Sequence, residues 1–264
     1  MTDTPLDTMA PISLAETVDQ AALLHRMDTK YLADDATVAD LMDRLGPSHR
    51  VLEIDGQRSF GYHSRYLDSP DLRSFRWHVQ GRRRRFKARI RHYLDSGDRL
   101  LEVKTRGSRG ETVKFRTECA DGDVGPAHSA FVAMCLNEAY RMSRDADLSP
   151  ILDVVYTRTT LVARTGATRV TLDRALSFHD LSSGRAYGLP ACRWLVETKS
   201  AQGRSEADRA LLAARVRPLS VSKYILGLAL TRPDLQVNAY LPIIRGLSAV
   251  PIEAASAHQM AVAA

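Results

Sequence analysis

From Arg85 to Arg91 every second residue is a cation, Arg85, Lys87, Arg89 and Arg91, and Phe86, Ala88 and Ile90 fill the positions between them. Residues two apart on an extended chain share a face, so as a strand this segment has one cationic side and one apolar side. The division recurs where Glu102, Lys104 and Arg106 alternate with Leu101 and Val103, and where Lys114 and Arg116 alternate with Val113 and Phe115. Arg26, Asp28 and Lys30 also share a face. Apolar faces need cover from helices, so several such strands in one sheet turn their cations onto a common opposite face. A dry core cannot hold that many unpaired like charges. A water-filled tunnel or cleft that receives a polyanion resolves the conflict, and arginine offers paired donors to phosphate oxygens.

Two other readings compete for single segments. Basic strands commonly lie on a solvated face. The run Gly81-Arg82-Arg83-Arg84-Arg85-Phe86-Lys87 also reads as a nucleic-acid patch or a localisation tag, and Phe86, Ile90 and Tyr93 fit helical spacing as well as strand spacing. That segment stays open on its own. Repetition over four segments favours the shared bore.

A chain of 264 residues with 44% hydrophobic content buries a substantial core as one domain, and a net charge of +6 favours an anionic partner. Cys119, Cys135 and Cys192 are widely spaced without a zinc pattern and read as reduced thiols. The N-terminus lacks a basic, apolar leader, and no run reaches the roughly 18 apolar residues of a membrane span. A cytoplasmic location is the expectation.

The pattern predicts loose tails over residues 1–16 and 247–264 around one working domain, residues 17–246, with a break at Asp121–Pro126. Strands are predicted near Leu24–Leu32, Arg58–Leu67, Arg84–Tyr93, Leu100–Arg106, Thr112–Glu118, Ile151–Val162, Thr168–Phe178 and Arg193–Lys199. Helices are predicted at Thr37–Leu45, Ala130–Arg141, Ser205–Arg215 and Leu219–Leu230. The class is α+β around a curved or closed sheet. Phosphate loops of the Gly-x-x-x-x-Gly-Lys and Gly-x-Gly-x-x-Gly types are missing, as are a Gly-x-Ser-x-Gly elbow and metal-spaced histidines. Phosphate binding therefore falls to side chains.

A series of short motifs then occurs in order: Arg26-Met-Asp-Thr-Lys30-Tyr31, Tyr62-x-Ser64-x-Tyr66-x-Asp68, His78-x-x-Gly81, Lys87-x-Arg89-x-Arg91-x-Tyr93 and Glu102-Val-Lys104. Lys114-x-Arg116, Tyr156-x-Arg158, Arg169-Val-Thr-Leu-Asp173, Glu197-Thr-Lys199 and Ser222-Lys223-Tyr224 follow. In that order and spacing, from about Arg26 to Gly227, the chain resembles the VTC domain, the polyphosphate polymerase domain of the triphosphate tunnel metalloenzyme (CYTH-like) superfamily. The resemblance implies an eight-stranded antiparallel β-barrel, a tunnel with flanking helices. It implies phosphate binding by Lys30, Lys87, Arg89, Arg91, Lys104, Lys114, Arg116, Arg158, Arg169, Lys199 and Lys223, and Mn²⁺ or Mg²⁺ held by Glu197. Asp28, Glu102 and Asp173 would orient the cations.

The activity implied is transfer of the terminal phosphoryl group of ATP onto polyphosphate or pyrophosphate. Arg89, Arg91, Arg158 and Lys223 would stabilise the transferring group, and nucleic acid is not an expected partner. Hydrolytic relatives carry Glu-x-Glu-x-Lys where this chain has Arg26-x-Asp28-x-Lys30. A cation in place of a carboxylate favours holding long phosphate chains over a metal-rich hydrolytic site. Hydrolysis of triphosphate or polyphosphate, and non-catalytic sensing of polyphosphate, inositol phosphate or a nucleotide, are the alternatives. Eukaryotic members also have a regulatory domain and membrane helices, which leaves a membrane-protein partner and the oligomeric state open.

Overall fold

The computed structural model describes residues 5–19, 27–107, 111–119, 124–142, 147–201 and 203–253. Eight long strands dominate it: β1 (Met27–Asp34), β2 (Phe60–Asp68), β3 (Phe86–Tyr93), β4 (Arg99–Arg106), β5 (Thr112–Glu118), β6 (Ser149–Ala163), β7 (Arg169–Asp180) and β8 (Arg193–Ser200). They lie in the spatial order β1-β8-β7-β6-β2-β3-β4-β5, and every neighbouring pair is antiparallel. The segment Arg84–Tyr93, open between helix and strand in the sequence, is a strand from Phe86. Its apolar face packs as alternation requires, with Phe86 and Ala88 buried against Leu101, Val103 and the helix Pro126–Tyr140.

Eight antiparallel strands are present, but the barrel does not close among the described residues. The ladder ends at β5 on one side, and on the other side β1 pairs with the two-residue strand Pro218–Leu219. β5 is exposed along nearly all its length, and its partly buried Phe115 packs with the cluster around Leu101 and Val103, which draws the strand toward β4 and not across to β1. Curvature still brings the ends round. Register shifts between Tyr66 and Leu67 of β2 and between Val155 and Thr157 of β6 bend the sheet, as bulges do. As a result Lys30 on β1 is close enough to Lys87 on β3 to disfavour its charge.

Helices cover both faces. α1 (Asp35–Leu45) and α4 (Glu206–Ala213) bury Val38, Leu41, Leu45 and Leu211 against Tyr31, Leu172 and Val196. The buried Asp208 of α4 accepts from the hydroxyls of Tyr31 and Thr198, which fixes β1 and β8 to that helix. α5 (Lys223–Thr231) packs on the face carrying Tyr66, and Tyr224 stacks on that ring at 5.0 Å. Asp68, at the end of β2, accepts from the N–H groups of Ser69, Ser74 and Phe75 and from the Tyr224 hydroxyl. One carboxylate thereby holds the start of α2 (Arg73–Val79) and the body of α5 together; α3 is Pro126–Tyr140.

Three expectations differ from the structure. Residues 5–16, read as part of a tail, dock through Met9 and Ile12, each 2% exposed, and Pro11–Ile12 pairs with Val51–Leu52. Two apolar residues three apart are too few to make a periodic signal. At the other end Leu247 is fully buried and Val250–Ile252 pairs with Ala186–Gly188. The last long helix starts at Lys223 rather than Leu219, because Ser222 caps it by accepting from the Ile225 N–H while Pro218–Leu219 joins β1. Arg26, residues 121–123 of the sequence break and residues 254–264 lie outside the described residues.

Candidate anion-binding site

Cross-strand register sets the charge pattern of the concave face. Lys30 stands directly opposite Glu197, Arg89 opposite Glu102, and Arg158 opposite Asp173. Such pairs are the local unit of sheet stabilisation. Glu102, 2% exposed, accepts two contacts from Arg89 at 2.7 and 2.8 Å and one from Arg91 at 3.3 Å, and Lys114 reaches it as well. Asp173, fully buried, takes a two-pronged grip from Arg158 at 2.6 and 2.8 Å together with Lys223. Glu197 is held more loosely, by Lys199 at 3.5 Å and Lys30 at 3.7 Å.

Most of these groups border a cavity of about 380 Å³. Of the residues singled out in the sequence, Lys30, Lys87, Arg89, Arg91, Lys104, Arg158, Lys199, Lys223 and Glu197 line it. Lys114 does not line the cavity and instead spends its charge on Glu102. Arg116 is exposed on the outer strand β5. Arg169, the first residue of β7, sends Nη2 to the carbonyl of Thr17 at 2.6 Å, a contact supplied by the docked N-terminal segment. Arg85 and Arg106 line the cavity although the candidate set omitted them; alternation put both on the cationic face.

An aromatic floor lies under the cations. Tyr62 and Tyr156 stack at 5.4 Å, and the guanidinium of Arg158 lies 5.2 Å from both ring centres. Arg91 sits 5.2 Å over Tyr62, and the Lys223 Nζ sits 4.4 Å over Tyr156. These contacts fix long side chains that would otherwise lose more rotamer freedom on binding.

The cluster's field shifts its own titrations. Burial pushes Glu197 toward its neutral form, but Lys199, Lys30, Arg158 and Lys104 together hold it well below the usual carboxylate range. Burial also raises the Tyr156 hydroxyl, and Arg91, Arg158 and Lys223 overcome it and bring the phenol down to about 8. Lys87 falls to about 7, first through burial and then through Lys30, Arg89 and Arg85. Burial and Arg89 likewise depress Lys104.

A pH dependence follows from Lys87. Below pH 7 it carries the charge an anion wants, and above pH 7 the ligand-free protein has lost it. Triphosphate affinity is therefore expected to fall as pH rises from 6 to 8. The ligand's own last ionisation has the opposite sign, so calorimetry on wild type and Lys87→Met isolates the residue. Equal slopes in the two proteins would remove Lys87 from the account.

Among the described residues no group of three or more His, Cys, Asp or Glu side chains converges as a metal cage. One carboxylate among cations, as at Glu197, matches a different pattern. Mg²⁺ and Mn²⁺ keep oxygen ligands and commonly bind through one or two carboxylates plus substrate phosphates. The donors present fit a dication that arrives with its phosphates.

A bent antiparallel sheet whose concave face gathers cations from five strands and one helix is an arrangement that suits a polyanion. The chain belongs to the VTC domain family, whose model matches residues 25–232. Among solved structures it is similar to the PH1819 protein of Pyrococcus horikoshii OT3, at 16% identity over 80% of this chain and 99% of that one, with a TM-score of 0.43. It is also similar to HpAC1 from Hippeastrum, described as having a dominant triphosphatase activity, at 15% identity over 80% of this chain and 97% of that one, with a TM-score of 0.39. A search of curated proteins gave no match.

Proposed function

We propose that this domain is a polyphosphate polymerase-like phosphotransferase that moves the terminal phosphoryl group of ATP onto a polyphosphate or pyrophosphate end. The observation supporting this is the convergence of Lys30, Arg89, Lys104, Arg158 and Lys223 from separate elements on one cavity, where carboxylates brace all of these but Lys104. The acceptor oxygen is already anionic, so no general base is required. Its lone pair forms the new bond to the γ-phosphorus as the bond to the β,γ-bridging oxygen breaks, and ADP leaves with that electron pair.

Arg89 and Arg158 keep N–H groups for equatorial phosphate oxygens while Glu102 and Asp173 fix their planes. Lys223 reaches the site from the first turn of α5. Glu197 would hold Mn²⁺ or Mg²⁺, which supplies neutralisation of the charge on the leaving and transferring phosphates. Catalysis then consists of in-line positioning and charge stabilisation. Purified protein with ATP and Mn²⁺ is expected to yield ADP and a long phosphate polymer, resolved by gel electrophoresis and phosphorus NMR. Orthophosphate as the sole phosphorus product would replace this reading with a hydrolase. Tight anion binding with no turnover under any divalent metal would replace it with a sensor.

A further inference from the structure

The arginine run ahead of β3 is only partly used by the cavity. Arg85 and Arg106 line it, but Arg82, Arg83 and Arg84 do not, and all three are exposed. The fold nevertheless fixes them at its rim. Phe86 pairs with Thr105, so Arg85 and Arg106 come opposite each other where the β3–β4 ladder ends. Tyr140 of α3 fastens that end: its hydroxyl donates to the Arg85 carbonyl at 2.6 Å and accepts from the Arg106 N–H at 2.7 Å.

The turn before β3 is folded back on the same point. Gly81 takes a φ of +66°, a conformation that favours glycine, and Arg85 Nη1 donates to the Arg82 carbonyl at 2.7 Å. Arg82 is braced by Gln80 at 3.1 Å. Like charges facing each other across a ladder destabilise it, and here Arg106 and burial together depress even the Arg85 guanidinium. An anionic chain that leaves the cavity past Arg85 would meet the run next.

We propose that Arg82, Arg83 and Arg84 form an external track, continuous with Arg85 and Arg106, along which a phosphate chain longer than the cavity is held. The inference rests on the polyphosphate reading for its ligand, but not on turnover. Triphosphate fits inside and gains nothing from the track; a long chain gains a contact at each arginine.

The test compares wild type with Arg82→Ser/Arg83→Ser/Arg84→Ser, and with the single Arg84→Glu variant as a milder change. Without divalent metal, calorimetry measures binding of triphosphate and of long-chain polyphosphate over a range of salt. Triphosphate affinity should stay within about twofold, while long-chain affinity falls about tenfold or more and its salt slope becomes shallower by about two. Equal losses at both lengths, or none at either, would overturn the track. So would a triple variant that loses single-stranded or duplex DNA binding while keeping polyphosphate, because the run would then be a nucleic-acid patch. A wild type that forms no polymer from ATP, with a triple variant that still shows the length-dependent loss, ends the polymerase reading and leaves the track standing.

Discussion

Glu197→Gln is expected to separate turnover from binding: ATP-dependent polymer formation falls about 10²- to 10³-fold, and triphosphate binds as well as to wild type or more tightly. The substitution is nearly isosteric and removes one negative charge from among Lys30, Lys199, Lys104 and Arg158, so the field on an incoming anion grows. It also removes the carboxylate best placed to share a dication with phosphate, because Glu102 and Asp173 are gripped by cations at hydrogen-bonding distance while Glu197 is approached only to 3.5 Å. Initial rates at saturating ATP over a Mn²⁺ titration, with metal-free calorimetry alongside, make the separation visible. A variant that keeps wild-type rates at every metal concentration would show that Glu197 is merely an ion-pair partner.

Arg158→Ala is expected to damage both stability and turnover. Asp173 has no solvent exposure, and the variant leaves it with Lys223 alone. Breaking a buried pair from one side costs about 3–5 kcal/mol, which thermal or denaturant unfolding resolves easily. The pH dependence has a definite sign. In wild type, burial raises the Asp173 carboxyl but Arg158 and Lys223 bring it down to about 2, below its ordinary 3.8, so it contributes stability at neutral pH that is lost as pH falls between those values. In the variant, burial is less opposed, the carboxyl rises, and neutral pH becomes the unfavourable side. The gap between the two proteins should therefore narrow on acidification. Arg158→Lys keeps the charge without the fork and should recover part of the stability but little of the rate. A gap constant with pH would mean that Asp173 is not the group left unpaired.

The strands were legible because alternation is a local signal: Leu101 and Val103 against Glu102, Lys104 and Arg106 can be read off six consecutive residues, whereas Arg84–Tyr93 needed its neighbours to decide between helix and strand. Which carboxylate would brace which cation was not legible, since opposition of Arg89 to Glu102 or Arg158 to Asp173 depends on pairing register. Helix α2 left little trace because its N-terminal N–H groups are satisfied by Asp68 from the preceding strand, and Leu72 before it adopts a φ of 53°. Arg169 was assigned to the cavity because its contact with Thr17 needs a segment whose docking had no periodic signature. Closure of the sheet was beyond reach for a related reason. It depends on whether two distant edges meet, and on the outer strand β5 Val113 is exposed while Phe115 packs with the cluster around Leu101 and Val103, on its own side of the sheet.

Glu102, Asp173 and Glu197 have one more consequence. Glu102 and Asp173 serve as internal counterions for the arginines and Glu197 for Lys30 and Lys199, but among the described residues neither Lys87 nor Lys104 has a carboxylate within ion-pair distance, and these two lysines are pushed toward their neutral forms. Filling the cavity with phosphate supplies the missing negative charge, so binding draws hydrogen ions out of solution. The heat of binding will then depend on the ionisation enthalpy of the buffer, and its slope counts the protons each polymer end brings in.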